Sequence, residues 1–171
     1  ICVGNIYIGG TGKTPASISI YRELRRLKLK SILIKKYYRD QKDERLLLKK
    51  NGILISKKKR IDAIKLAKLK KFKYAIFDDG LQDKEIDYDV KIVCFNYNSF
   101  IGNGLIIPAG PLREKLESLK YYQVAIINGN GENIKKLKNQ LKRFNKNLKI
   151  YKGEYVFDKR INSKNKKFIA V

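Results

Sequence analysis

Short apolar runs alternate along this chain with longer stretches in which apolar positions recur every three or four residues. The short runs read as buried strands, and the periodic stretches read as amphipathic helices. The pattern predicts strands over residues 1–6, 31–34, 52–55, 74–79, 89–95 and 123–127. It predicts helices over residues 13–29, 43–50 and 60–71, and a fourth marked by Ile134, Leu137, Leu141 and Phe144. In the first helix Ile20, Leu24 and Leu27 share a face, and in the third Ile61, Ile64 and Ala67 are expected to point inward. The terminal run Phe168-Ile169-Ala170-Val171 also reads as a strand. Such alternation implies a doubly wound α/β fold, a mostly parallel sheet with helices on both faces. No repeat or low-complexity linker interrupts it, so residues 1–171 are expected to form a single domain with its own core. Because Ile1 already lies inside a strand-like run, the chain is expected to be an internal piece of a longer protein.

The junction between the first strand and the first helix carries the chemistry. It reads Gly9-Gly10-Thr11-Gly12-Lys13-Thr14-Pro15. Consecutive glycines let backbone N–H groups wrap an anion, Lys13 supplies a point charge for β/γ-phosphates, and the Thr14 hydroxyl is placed to reach Mg²⁺. Tyr7 stands where the usual pattern has a further glycine, and Ile8 where one ATPase class has an extra lysine. A glycine turn that binds nothing is the plain alternative, but six matched positions after a strand favour a P-loop NTPase-like fold that binds a nucleoside triphosphate with Mg²⁺.

Two further stretches stand out. Tyr74-Ala75-Ile76-Phe77-Asp78-Asp79-Gly80 is an apolar strand ending in acids, the device by which P-loop proteins place a carboxylate near the metal at the carboxyl end of a strand. Asp79-Gly80 as an ordinary turn is the alternative. The stretch from Gly102 to Glu114 is rich in glycine and proline, which fix a loop. Within it Arg113 offers a guanidinium to a phosphate, or pairs locally with Glu114 or Glu117.

Composition changes this picture little. Forty Lys and Arg against 16 Asp and Glu give a formal charge of +24, which first suggests a polyanionic partner. The lysines are scattered, and abundant Ile, Lys and Asn are what an AT-rich genome produces, so no nucleic acid partner is expected. The densest basic run, Lys57-Lys58-Lys59-Arg60, reads as a solvated helix start. Cys2 and Cys94 lie in apolar runs and read as buried small hydrophobes in a reducing compartment. The absence of histidine argues against a transition-metal site. No run reaches the roughly 18–20 apolar residues of a membrane span.

Taken in order, these residues resemble the tetraacyldisaccharide 4′-kinase family, the lipid A 4′-kinases of Gram-negative bacteria. The likeness runs through Val3-Gly4-Asn5-Ile6, Gly9 to Pro15, Asp43-Glu44 with Leu46-Leu47-Leu48, and Phe77-Asp78-Asp79-Gly80-Leu81-Gln82. It continues through Gly102-Asn103-Gly104-Leu105, Pro108-Ala109-Gly110-Pro111-Leu112-Arg113-Glu114 and Ile127-Asn128-Gly129. The resemblance implies transfer of the γ-phosphoryl group of ATP to the 4′-hydroxyl of an acylated glucosamine disaccharide 1-phosphate. It places that reaction at the cytoplasmic face of the bacterial inner membrane, whose surface is an implied partner. The family's hydrophobic N-terminal segment and its histidine-bearing C-terminal part are not in this sequence.

By the same resemblance, Asp43 is the catalytic base, Glu44 lies near the Mg²⁺–nucleotide site, Asp78 and Asp79 are the metal-site pair, and Arg113 is the loop arginine. Read without the family, Asp43-Glu44 is favourable acidic charge at a helix N-terminus. The chain departs from the family pattern at Lys42 and Arg45 around the acidic pair, at Asp83 where histidine is usual, and in a shortened loop between Arg39 and Asp43. It departs again at Lys35-Lys36-Tyr37-Tyr38-Arg39, where a Ser-Arg-Gly-Tyr type of segment is usual. A basic P-loop ATPase acting on nucleic acid or as a regulatory module is the alternative function.

Overall fold

The computed structural model describes residues 1–154. The strand-like run at Phe168–Val171 lies outside the described residues. Seven strands form one parallel sheet: β1 (Cys2–Gly4), β2 (Ser31–Lys36), β3 (Leu54–Lys57), β4 (Tyr74–Asp78), β5 (Lys91–Asn96), β6 (Val124–Asn128) and β7 (Lys149–Gly153). Four helices intervene: α1 (Lys13–Arg26), α2 (Lys42–Asn51), α3 (Arg60–Leu69) and α4 (Ile134–Phe144), with a 3-10 turn at Leu116–Tyr121. The strand order is β3-β2-β4-β1-β5-β6-β7. The chain therefore works outward from β1 on one side and then crosses to the other, and ligands of open α/β sheets sit at the carboxyl ends of strands where the order reverses.

The period-two alternation of each strand assigns its side chains to the two faces. Cys2, Ile32, Ile34 and Phe77 pack with Ala63 and Ala67 of α3. Their neighbours Val3, Leu33 and Ile76 pack on the opposite face with Ile18 and Tyr21 of α1 and Leu48 of α2. A third cluster joins Ile6, Val93, Phe95, Ala125 and Ile127 to Leu141 of α4 and Leu119 of the 3-10 turn.

In α1 and α3 one expected inward residue each lies outside. Ile18 and Tyr21 are the buried residues of α1, with Ile20 and Leu24 packed beside them, while Leu27 is 55% exposed because it caps the helix instead of continuing it. In α3 Ala67 is buried and Ile64 packs beside it, as expected, while Ala63 is also buried and Ile61 is exposed. Of the three consecutive leucines in α2 only Leu48 is buried, since three adjacent positions cannot share a face. The strand expected over 52–55 runs instead over Leu54–Lys57, because Gly52 serves as the extended cap of α2.

Candidate functional site

The segment Asn5–Gly12 leaves β1 and folds back before α1 begins. Gly9 (φ 127°) and Gly12 (φ 79°) take left-handed backbone conformations that disfavour a side chain. Three asparagines tie down the carbonyls of the loop. Asn5 at the end of β1 donates to the Gly9 carbonyl at 3.4 Å, Asn96 at the end of β5 to that of Gly10 at 3.3 Å, and Asn128 at the end of β6 to that of Thr11 at 2.6 Å. Pinning these carbonyls leaves the loop's amide groups for an anion, which the start of α1 also favours.

Behind the loop lies a buried charged cluster. Asp78, fully buried at the end of β4, accepts from the Thr14 hydroxyl at 3.1 Å and from the Lys35 ammonium at 2.8 Å, both through Oδ2. Its Oδ1 accepts from the Ser17 hydroxyl at 3.2 Å. Lys35 also donates to Glu44 in the first turn of α2. Burial works against the Lys35 ammonium, yet Asp78 and Glu44 outweigh it and hold its pKa above the ordinary lysine value. Burial likewise works against the Glu44 carboxylate, and Lys35 together with the charge of Lys13 outweighs that and holds its pKa below the ordinary value.

Asp79 follows with a left-handed backbone (φ 60°), its amide donating to the Val3 carbonyl at 2.8 Å. Lys13 Nζ lies 3.8 Å from its Oδ2, and an Arg113 guanidinium nitrogen lies 3.5 Å from its Oδ1. Arg113 comes from the glycine-rich loop, which pairs with the strand extension after β1. The Arg113 amide donates to the Ile6 carbonyl at 2.7 Å, the Ile8 amide to the Pro111 carbonyl at 2.9 Å, and Tyr7 bridges Leu112. Arg113 thus pairs with Asp79, not with Glu114 or Glu117. A cleft of about 560 Å³ beside it is lined by Lys36, Tyr38, Arg60, Asp79, Gln82 and Arg113.

Of the residues singled out in sequence, Lys13, Thr14, Asp78, Asp79 and Arg113 converge here, and Glu44 joins them through Lys35. Asp43 sits one residue before Glu44, is exposed, and forms no hydrogen bond or ion pair among the described residues. Arg60 is not a solvated end of a basic run. It is buried, pairs with Asp83 at 2.8 Å and donates to the Asp79 carbonyl. Thr14, Asp78, Glu44 and Asp79 offer hydroxyl and carboxylate oxygens, the hard donors Mg²⁺ accepts, and Mg²⁺ characteristically takes one or two carboxylates alongside substrate phosphates.

A glycine turn that leads from the central strand into a Lys-Thr helix start, beside a neighbouring strand ending in aspartate, defines a P-loop nucleotide-binding fold. The hydrogenase maturation factor HypB from Archaeoglobus fulgidus superposes on 90% of the chain, and on 81% of its own, with a TM-score of 0.60 at 15% identity. At the sequence level, the family model described as Tetraacyldisaccharide-1-P 4'-kinase matches residues 1–170, and the chain belongs to that family. A tetraacyldisaccharide 4'-kinase of Pelagibacter ubique (strain HTCC1062) is 52% identical over 156 residues, 91% of this chain and 50% of the relative. One of Bradyrhizobium diazoefficiens is 30% identical over 135 residues, 69% of this chain and 40% of the relative. The chain thus spans about half the length, or less, of these relatives. Among the described residues, no helix is long and apolar enough to cross a membrane.

Ser17 and Asn96 went unread in sequence, Lys35 was noted only as a departure from the family pattern, and Arg60 was read as solvated. Ser17 had a usable signal, four residues after Lys13 on the same helix face. Lys35 and Asn96 needed the strand pairing, and Arg60 the packing of α3 against the end of β4.

Proposed function

We propose that this chain is the nucleotide-binding part of a kinase that moves the γ-phosphoryl group of ATP to the 4′-hydroxyl of a tetraacylated glucosamine disaccharide 1-phosphate, giving lipid IVA. The reaction is placed at the cytoplasmic face of the bacterial inner membrane. The observation that carries the reading is the convergence of Lys13, Thr14, Asp78, Asp79 and Arg113 on one glycine-wrapped loop. The loop amides and Lys13 bind the β/γ-phosphates, and Arg113 balances the charge of the transferring group from the far side of Asp79. Mg²⁺ held through Thr14, Asp78, Glu44 and Asp79 would supply further neutralisation of phosphate charge.

Asp43 is assigned as the base. Its carboxylate takes the proton of the 4′-hydroxyl as that oxygen bonds to the γ-phosphorus. The bond from phosphorus to the β–γ bridging oxygen breaks, and ADP leaves with its electrons. Exposure suits Asp43 to meet an acceptor arriving from outside the nucleotide site.

The test is Asp43→Asn in the full-length protein that contains this chain, with ATP binding and turnover measured separately. Binding is expected to hold while turnover falls about 10²-fold or more, and ATP consumption should require the acylated disaccharide. Normal turnover in this variant moves the base elsewhere. ATP consumption driven by RNA or DNA without the disaccharide would replace the reading with a nucleic-acid-dependent ATPase.

A further inference from the structure

Lys35 occupies a position that the strand pattern assigns to the core. It follows Leu33 by two residues on β2, on the face packed against α1 and α2, and it pairs in register with Asp78. Its side chain is 1% exposed. An ammonium at such depth is heavily disfavoured unless carboxylates meet it, and here two do. One comes from β4 and the other from the first turn of α2, so the lysine joins three elements around one point.

That point is within the phosphate site. Asp78 Oδ2 accepts from both Lys35 and Thr14, so the ammonium shares a carboxylate oxygen with the hydroxyl that follows the loop lysine. The remaining oxygen of Asp78 is taken by Ser17. Counting formal charges, Asp78, Asp79 and Glu44 are balanced by Lys13, Lys35 and Arg113. Without Lys35 the cluster would carry one uncompensated negative charge, which favours a divalent ion and opposes a naked triphosphate. With it, part of that counter-charge is already built into the protein. The lysine also belongs to the segment, residues 35–39, in which the chain departs from its family pattern.

We propose that Lys35 is a resident cation of the phosphate site, one that lets the protein bind triphosphate with weak dependence on Mg²⁺ and that competes with Mg²⁺ for Asp78 and Glu44. The proposal rests on the reading of the Gly9–Thr14 loop as a triphosphate site. Lys35 acts through the carboxylates it holds, and is a positioning residue, not a catalytic one.

The experiment is equilibrium titration of a fluorescent ATP analogue into the full chain, in EDTA and across a Mg²⁺ series. For the unaltered protein, removing Mg²⁺ should weaken binding by less than about tenfold, since a charged contact of this kind replaces interactions worth about that factor. Lys35→Ser should widen the gap between the two conditions and lower the Mg²⁺ concentration needed for half-maximal binding, while Lys35→Arg should keep the gap small. The unaltered protein needs no substitution to be informative, so a misfolded Lys35→Ser variant does not protect the idea. A loss greater than tenfold in EDTA for the unaltered protein, or an equal weakening of both conditions by Lys35→Ser in a folded variant, overturns it. Binding seen only with Mg²⁺ overturns this inference alone. No binding in either condition overturns the triphosphate reading, and this inference with it.

Discussion

Lys13 and Asp79 form an ion pair, with the ammonium 3.8 Å from Oδ2. The same carboxylate meets Arg113 at 3.5 Å on its other oxygen. Lys13 begins α1 and Arg113 ends a loop one hundred residues further on. Asp79 therefore holds two cations, drawn from distant parts of the chain, beside one loop. Its left-handed backbone turns it out of the strand toward them.

Lys13→Ala is expected to weaken ATP-analogue binding by roughly 10- to 100-fold, the range for losing a hydrogen bond to a charged group, and to abolish phosphoryl transfer. Fluorescence titration checks the first and product analysis the second. Unchanged affinity would mean that the loop holds no triphosphate.

Asn128→Ala tests the role of the asparagine brackets. The side chain touches the Thr11 carbonyl and not any group assigned to phosphate. Its loss should cost about 1 kcal/mol, read as a several-fold weaker nucleotide affinity with unchanged global stability in excess nucleotide. A variant that binds as tightly as the parent would show that the loop holds its shape unaided.

Asp78→Asn removes one of two counter-charges from a lysine that cannot reach water. Breaking a buried pair in this way costs about 3–5 kcal/mol, which urea unfolding should report as a large drop in midpoint. A shift below about 1 kcal/mol would mean that the Lys35 ammonium is not buried in solution.

The two thiols set an alkaline limit. Burial pushes both Cys2 and Cys94 from the ordinary value of 9.0 up to about 12. Between those values the unfolded chain sheds the thiol protons and the folded one keeps them, so stability falls as pH rises through that window and gains nothing from the thiols below it. Cys94→Ala should flatten the fall in urea midpoints measured from pH 8 to 11. In native protein at pH 8 neither thiol should react with iodoacetamide, and rapid labelling without unfolding would contradict their burial.

The order and type of most elements were legible because β1, β2, β4 and β5 carry runs of buried apolar residues bounded by polar helices. The misses have definite causes. β7 reads as Lys149-Ile150-Tyr151-Lys152-Gly153, with no fully buried residue, so no apolar run announced it. β1 stops at Gly4, although Asn5 and Ile6 are as buried as a strand, because the chain there turns to make the phosphate loop. In the site, Gly9–Thr14 and the Asp78-Asp79 pair were legible because their chemistry is local in sequence. Lys35 was not. Among 40 basic residues one buried lysine has no mark of its own until β2 is laid beside β4. Asn96 stayed hidden for the same reason, and Asn128, though part of the matching run Ile127-Asn128-Gly129, had no role until the sheet brought its strand end to Thr11.

The parallel sheet leaves two rims, β3 on one side and β7 on the other. Among the described residues, each rim leaves backbone groups that a further strand could satisfy. Lys57 stands on the first, Lys149 and Lys152 on the second, and all three are exposed. Copies approaching rim to rim would bring the ammonium groups of Lys57 or Lys149 against one another, a charge arrangement that opposes edge-to-edge pairing, while Lys152 is already paired with Glu154.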